Sequence, residues 1–174
     1  MMGFTHVGVG IVTTGMIWEA MGLSGYTTLI GAAIGGVGGM LPDIDDCNSI
    51  LGRQLPILPL VINALRIEHR GFTHTPVCLL IFTAAAYIAA ITWNLNIFYA
   101  ASLCVGYATH ILTDAITREG VRLFWPFFKG RIALTGIRTG GIVDYALGAA
   151  AYIAIISYIV NSHILQHIRS QISF

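Results

Sequence analysis

The sequence predicts an all-α integral membrane protein, a single domain over residues 1–174 folded as a helical bundle of about five transmembrane segments. Three observations predict it. Hydrophobic residues make up 56% of the chain and charged residues 10%, against about 25% charged in an average soluble domain. So short a chain, with so few polar side chains, cannot cover a water-facing surface. Long apolar runs recur along its length, and the basic residues gather in two of the loops between them.

The first apolar run, His6–Gly22, sits near the lower limit of a membrane span, which takes about 17–25 residues. The second, Thr27–Leu41, is short and crowded with Gly31, Gly35, Gly36, Gly38 and Gly39. Glycines at 31, 35 and 39 form two overlapping GxxxG repeats, which let helix backbones approach closely in lipid. This segment is expected at the tightly packed centre of the bundle. The third, fourth and fifth runs, Pro76–Trp93, Ile97–Ala115 and Ile142–Val160, are long enough to span.

Charge sets the orientation. Leu23–Tyr26 and Asn94–Asn96 carry no charge, whereas Pro42–Thr75 carries Arg53, Arg66 and Arg70. Thr117–Gly141 carries Arg118, Arg122, Lys129, Arg131 and Arg138. If all five runs span, these residues lie on one side and only Arg169 lies opposite. The positive-inside rule makes that side cytoplasmic, with the amino terminus, and puts the carboxyl terminus outside. The amino terminus lacks a basic leader and an A-x-A-like cleavage site, so it does not read as a cleaved signal peptide. A net charge of +1 gives no global indication of a nucleic-acid partner. Cys78 and Cys104 lie in apolar runs and read as small hydrophobes, and no disulfide framework is implied.

The ionisable residues then collect at the cytoplasmic face. His6 opens the first run; Asp43, Asp45 and Asp46 follow the second; His69 and His74 precede the third. His110 and Asp114 end the fourth, one turn or about 6 Å apart on one helical face. Asp144 starts the fifth. Imidazole and carboxylate buried together in lipid are costly unless paired or ligated, and this donor set suits a divalent metal. Thr73 is placed to cap the third helix, and Arg70 has the planar fork that binds phosphate or carboxylate. Glu19, about 20 Å along a helix from His6, and His163 and His167 fall at the opposite face.

His6, the Leu41-Pro42-Asp43-Ile44-Asp45 stretch, the His69-Arg70-Gly71-Phe72-Thr73-His74 stretch, the Gly106-x3-His110-x3-Asp114 helix and Trp125-Pro126-Phe127 together resemble the YdjM-like family of membrane-bound metal-dependent hydrolases. The match runs from His6 to about Asp144. A more distant likeness, in ligand order only, is to the zinc-dependent phospholipase C and single-strand nuclease group. The resemblance implies a hydrolase with a mono- or di-metal site.

The expected metal ligands are His6, Asp43, Asp45, His69, His74, His110 and Asp114, holding one or two divalent ions, zinc first and manganese or magnesium as alternatives. Asp46 and Asp144 are expected to orient the imidazoles from behind, with Thr73 in support and Asp46 also a candidate catalytic carboxylate. Arg70, with Arg118 and Arg131, is expected to hold the anionic group of a phosphoester, lipid or lipid-linked, reaching the inner leaflet of a bacterial cytoplasmic membrane. Two other readings compete. An intramembrane metalloprotease lacks its HExxH signature here, because Glu68 precedes His69. A transporter or metal-binding protein would place its site near the midplane.

Overall fold

The computed structural model describes residues 1–64, 70–128 and 130–161, and among them the chain is all-helical, with no strands. Helix α1 runs Gly3–Ala20 and α2 Tyr26–Gly38. Two short helices follow, α3 over Ile50–Gln54 and α4 over Ile57–Ala64. The long helices α5, Pro76–Thr92, α6, Ile97–Ile116, and α7, Ile142–Asn161, complete the bundle. The five apolar runs thus match α1, α2, α5, α6 and α7, although α1 starts ahead of His6. The loop after α2 is more structured than its sequence suggested. It holds α3 and α4 and two single-turn 3₁₀ helices, Leu41–Asp45 and Phe72–His74.

Local chemistry explains the helix starts. Thr75 accepts a hydrogen bond from the Cys78 amide at 3.1 Å, and Pro76 follows it, its missing N–H no loss in a first turn. The cap of α5 is therefore Thr75 and not Thr73, whose hydroxyl is used elsewhere. Asn96 caps α6 through the Phe98 amide at 3.0 Å.

Helix α2 packs against both α1 and α6, as its glycines predicted. A Cβ on Gly10 of α1 would come within 2.7 Å of the Gly35 carbonyl oxygen, and one on Gly106 of α6 would collide with that same oxygen. One on Gly38 would collide with the carbonyl oxygen of Leu103. Backbone meets backbone along this seam, a separation only glycine permits. Helix α7 covers α1, with Gly8 facing Ala151, and α5 covers α6, where Phe82 and Tyr107 stack at 5.1 Å.

Two segments, Tyr26–Asp45 and Ile142–Asn161, are long and apolar enough to cross a membrane by length and composition, and Pro76–Thr92 is a shorter apolar helix. Helices α1 and α6 are more polar for a local reason. Their buried faces carry Thr5, His6 and Thr14, and Ser102, Thr109, His110 and Asp114.

The glycine seam is testable. Gly106→Leu would force α6 away from α2 and should cost about 3 kcal/mol or more, the upper range for overpacking. Gly136→Ala, at a position with nothing within 4 Å, should be neutral. Thermal unfolding of the two variants in detergent compares them directly, and equal midpoints would contradict the close-packed seam.

Candidate metal centre

Four segments meet at one end of the bundle. The first turn of α1 brings His6, the Leu41–Asp45 turn brings Asp43 and Asp45, the Phe72–His74 turn brings His74, and the end of α6 brings His110 and Asp114. His6, His74, His110, Asp45 and Asp114 are each no more than 1% exposed. Asp43, with its side chain 17% exposed, is the member nearest solvent.

Hydrogen bonding fixes the face each imidazole presents. His110 Nδ1 lies 2.7 Å from the carbonyl oxygen of Gly39, so it must be a donor. Thr113 gives its hydroxyl proton to the backbone carbonyls of Thr109 and His110, so it accepts from His6 Nδ1 at 2.9 Å. Thr73 gives its proton to Asp45, so it accepts from His74 Nδ1 at 2.9 Å. Each ring therefore donates through Nδ1 and turns the lone pair of Nε2 inward, the arrangement by which outer groups orient metal-binding histidines.

Those inward atoms crowd together. His74 Nε2 and His110 Nε2 are 3.1 Å apart. Asp43 Oδ1 lies 3.4 Å from the first and 3.5 Å from the second. His6 Nε2 lies 3.2 Å from Asp114 Oδ1, and Asp114 Oδ2 lies 3.7 Å from His74 Nε2 and 3.8 Å from His110 Nε2. Lone pairs facing lone pairs and carboxylates repel unless a cation lies among them. Ligand atoms about 2.1 Å from one tetrahedral zinc ion lie about 3.4 Å apart, in the middle of this range.

Two further observations fit a metal. Among the described residues His6 Nε2 is buried without a hydrogen bond, which is rare for interior polar atoms. Burial also pushes the His74 pKa below its usual value, against the opposing pull of Asp43, and so favours the neutral ring that binds metal. The donors form two overlapping groups, His6–Asp43–His110 and His74–His110–Asp114. His110 has one lone pair to give, since Nδ1 is committed to Gly39. The described donors therefore suit one ion better than two.

The other expected site residues are more varied. Asp45 stands behind His74, 3.7 Å from Nδ1, and serves the ring from outside the cluster. Asp46 turns away and accepts from the Asn48 amide at 2.8 Å. Asp144 does not touch the imidazoles. It accepts from Thr5 at 2.7 Å and from the amides of Met2 and Gly140, each at 2.9 Å, and so ties the start of α1 to α7.

Arg70 does reach the cluster, with Nε and Nη2 at 3.1 and 3.2 Å from the two oxygens of Asp114. Its φ of 57°, unusual outside glycine, is held by these contacts. Arg118 is exposed and pairs with Glu119 at 3.2 Å, and Arg131 is exposed on the same loop, so neither lies at the cluster. His69, Arg66, Glu68, Lys129, His163, His167 and Arg169 lie outside the described residues.

Some contributors went unnoticed in the sequence. Thr113 orients His6, the Gly39 carbonyl orients His110, and the Met1 ammonium pairs with Asp114. Glu119 stands 3.7 Å from Arg70, and Thr117 accepts from that guanidinium at 3.3 Å. His110, Thr113, Asp114 and Thr117 follow i, i+3, i+4, i+7 spacing, so a helical-face reading of α6 would have found both threonines. No local pattern marks the Gly39 carbonyl.

The fold and its buried cluster define a helical bundle with a His/Asp centre at one end. The chain belongs to the YdjM family: the family model described as YdjM inner membrane protein matches residues 1–168. An uncharacterized protein of Bacillus subtilis, YvsG, is 36% identical over 128 residues, 72% of this chain and 74% of its own length. The inner membrane protein YdjM of Escherichia coli is 36% identical over 88 residues, 50% of this chain and 44% of its own length. The match to YdjM of Shigella flexneri has the same extent. The aligned region thus spans less than half of the two YdjM proteins. No solved structure matches.

A pH dependence follows from His74. Its folded pKa lies below the ordinary value of about 6.5, so protons compete with metal for this ring only below that pH. Zinc affinity, measured against a competing chromophoric chelator, should be level from about pH 8 to 6.5 and fall as the pH drops further. A decline already under way above pH 7 would contradict a buried, neutral His74.

Proposed function

We propose that this protein is a membrane-bound metal-dependent hydrolase whose substrate is a phosphoester, lipid or lipid-linked, presented at the cytoplasmic leaflet. The observation that carries the reading is the convergence of three Nε2 lone pairs with the carboxylates of Asp43 and Asp114, beside a buried arginine. In the proposed topology α1, α2, α5, α6 and α7 all cross, the amino terminus and the centre are cytoplasmic, and the carboxyl terminus is outside. The grouping of basic residues in the two loops at the cluster end supports it.

His6, His74 and His110, with Asp43 and Asp114, would hold a divalent ion, zinc for preference. Such an ion activates water and stabilises charge on a phosphoryl oxygen. The protein's own groups do the rest. Thr113, Thr73 and Gly39 hold the rings in register. Asp43, the member nearest solvent, marks the side from which water would reach the ion. Arg70 neutralises Asp114 at rest and offers remaining N–H groups to a substrate oxyanion, where charge grows in the transition state. A non-enzymatic metal-binding or transport role is the second reading. It draws support from the enclosure of the cluster and from the ammonium and guanidinium already paired with Asp114.

Arg70→Lys separates the two. It keeps the charge and loses the planar fork, so the enzyme reading expects unchanged metal content and a fall in turnover of about 10²-fold, the scale of one lost electrostatic donor. Metal content, thermal midpoint and turnover of the best phosphoester in a panel are measured together. Loss of stability with unchanged turnover per folded molecule would make Arg70 a structural pair for Asp114. A wild-type protein that binds metal and turns over no phosphoester would favour the second reading.

A further inference from the structure

The segment between α6 and α7 folds back on itself. Val121 and Ile132 exchange backbone hydrogen bonds at 3.1 and 2.8 Å, and the Arg118 amide donates to Ile137 at 2.9 Å. The tip of this loop carries Phe124, Phe127 and Phe128, which are 60%, 96% and 54% exposed. Arg131 beside the tip and Arg118 and Arg138 at its base are exposed, whereas Arg122 is half-buried. Large aromatic side chains held out in water are unfavourable. Aromatic tips ringed by arginine are the composition that settles at a headgroup boundary.

Two neighbours strengthen the case. Helix α4, which packs on the Leu41–Asp45 turn, exposes Ile57, Leu60 and Val61 at the same end of the bundle. Trp125, inside the aromatic tip, meets Phe72 edge to face at 5.3 Å. Phe72 opens the 3₁₀ turn that ends in His74. The loop therefore rests directly on a ligand-bearing turn.

We propose that the Phe124–Phe128 tip inserts into an anionic phospholipid leaflet beside the metal centre, with Arg118 and Arg131 on the headgroup phosphates. Charge complementarity selects the partner: a basic, aromatic loop fits an acidic lipid surface. Arg118 and Arg131, which the sequence suggested as substrate ligands, then act on the membrane instead of at the cluster. The Phe72–Trp125 contact makes the inserted tip one wall of the route from lipid to His74. The inference deepens the functional reading and rests on it for the direction of substrate approach; lipid contact by the tip is measured independently.

The test places a reporter at the most exposed position. Full-length Phe127→Trp is reconstituted into vesicles of phosphatidylcholine alone, or with about 30% phosphatidylglycerol, a strongly anionic surface. Its added fluorescence over wild type is followed with lipids brominated near the headgroup end of the acyl chain and with aqueous iodide. Insertion predicts a blue-shifted component quenched by brominated lipid and shielded from iodide, with deeper quenching in the anionic vesicles. Arg118→Gln/Arg131→Gln in the same background should remove that added depth.

A component open to iodide and blind to brominated lipid would overturn the proposal. So would one shielded from both, which would mean that a second copy of the chain covers the tip. Equal quenching in neutral and anionic vesicles would overturn the headgroup role of the arginines. Zinc content of the same samples reports on the centre, so failure of insertion is distinguishable from failure of the metal reading.

Discussion

A carboxylate with almost no access to water organises this molecule. Asp114 lies fully buried at the end of α6, where an uncompensated negative charge would be costly. Its two oxygens are met by the Met1 ammonium from the start of α1 and by Arg70 from the loop before α5, with His6 Nε2 3.2 Å away. His74 and His110 stand just beyond. Two segments distant in sequence are thus drawn to the end of one helix by a single electrostatic requirement. Removing any one partner leaves charge uncompensated in a dry interior, which costs more than the pair contributes when intact.

The close approach has a steric condition. His110 reaches the Gly39 carbonyl only because α2 and α6 are in backbone contact, and Gly35, Gly38 and Gly106 provide that contact. Packing along the seam and ligand orientation at its end are one structural fact seen at two scales. The hydroxyls of Thr73 and Thr113 complete it. Each gives its proton to another acceptor and so forces the neighbouring imidazole to donate. Three rings are thereby held in one tautomer, lone pairs inward.

Much of this was legible in the sequence. Apolar runs gave the five long helices, the glycine spacing gave the packed centre, and segment polarity put His6, Asp43, His74, His110 and Asp114 at one end. What was not legible depends on contacts between distant parts of the chain. Asp144 reads as a support for the imidazoles until Thr5 and the Met2 amide are seen to take both its oxygens. The choice of Thr75 over Thr73 as a cap turns on Asp45 having already engaged Thr73. Helices α3 and α4 were hidden because a few turns of apolar residues between polar ones give too little periodicity to separate from a loop. The Gly39 carbonyl belongs to the backbone, and no side-chain pattern points to it.

The central claim is that a divalent metal is held by imidazole Nε2 atoms and carboxylates. X-ray absorption on the zinc-loaded protein in detergent tests it most directly. The account predicts a shell of nitrogen and oxygen at about 2.0–2.1 Å with the outer scattering of imidazole rings, lost in His110→Ala/Asp114→Ala while the bundle keeps its helical circular dichroism. Sulfur in the first shell, which would bring in exposed Cys47, or an unchanged spectrum in the double variant, would contradict it.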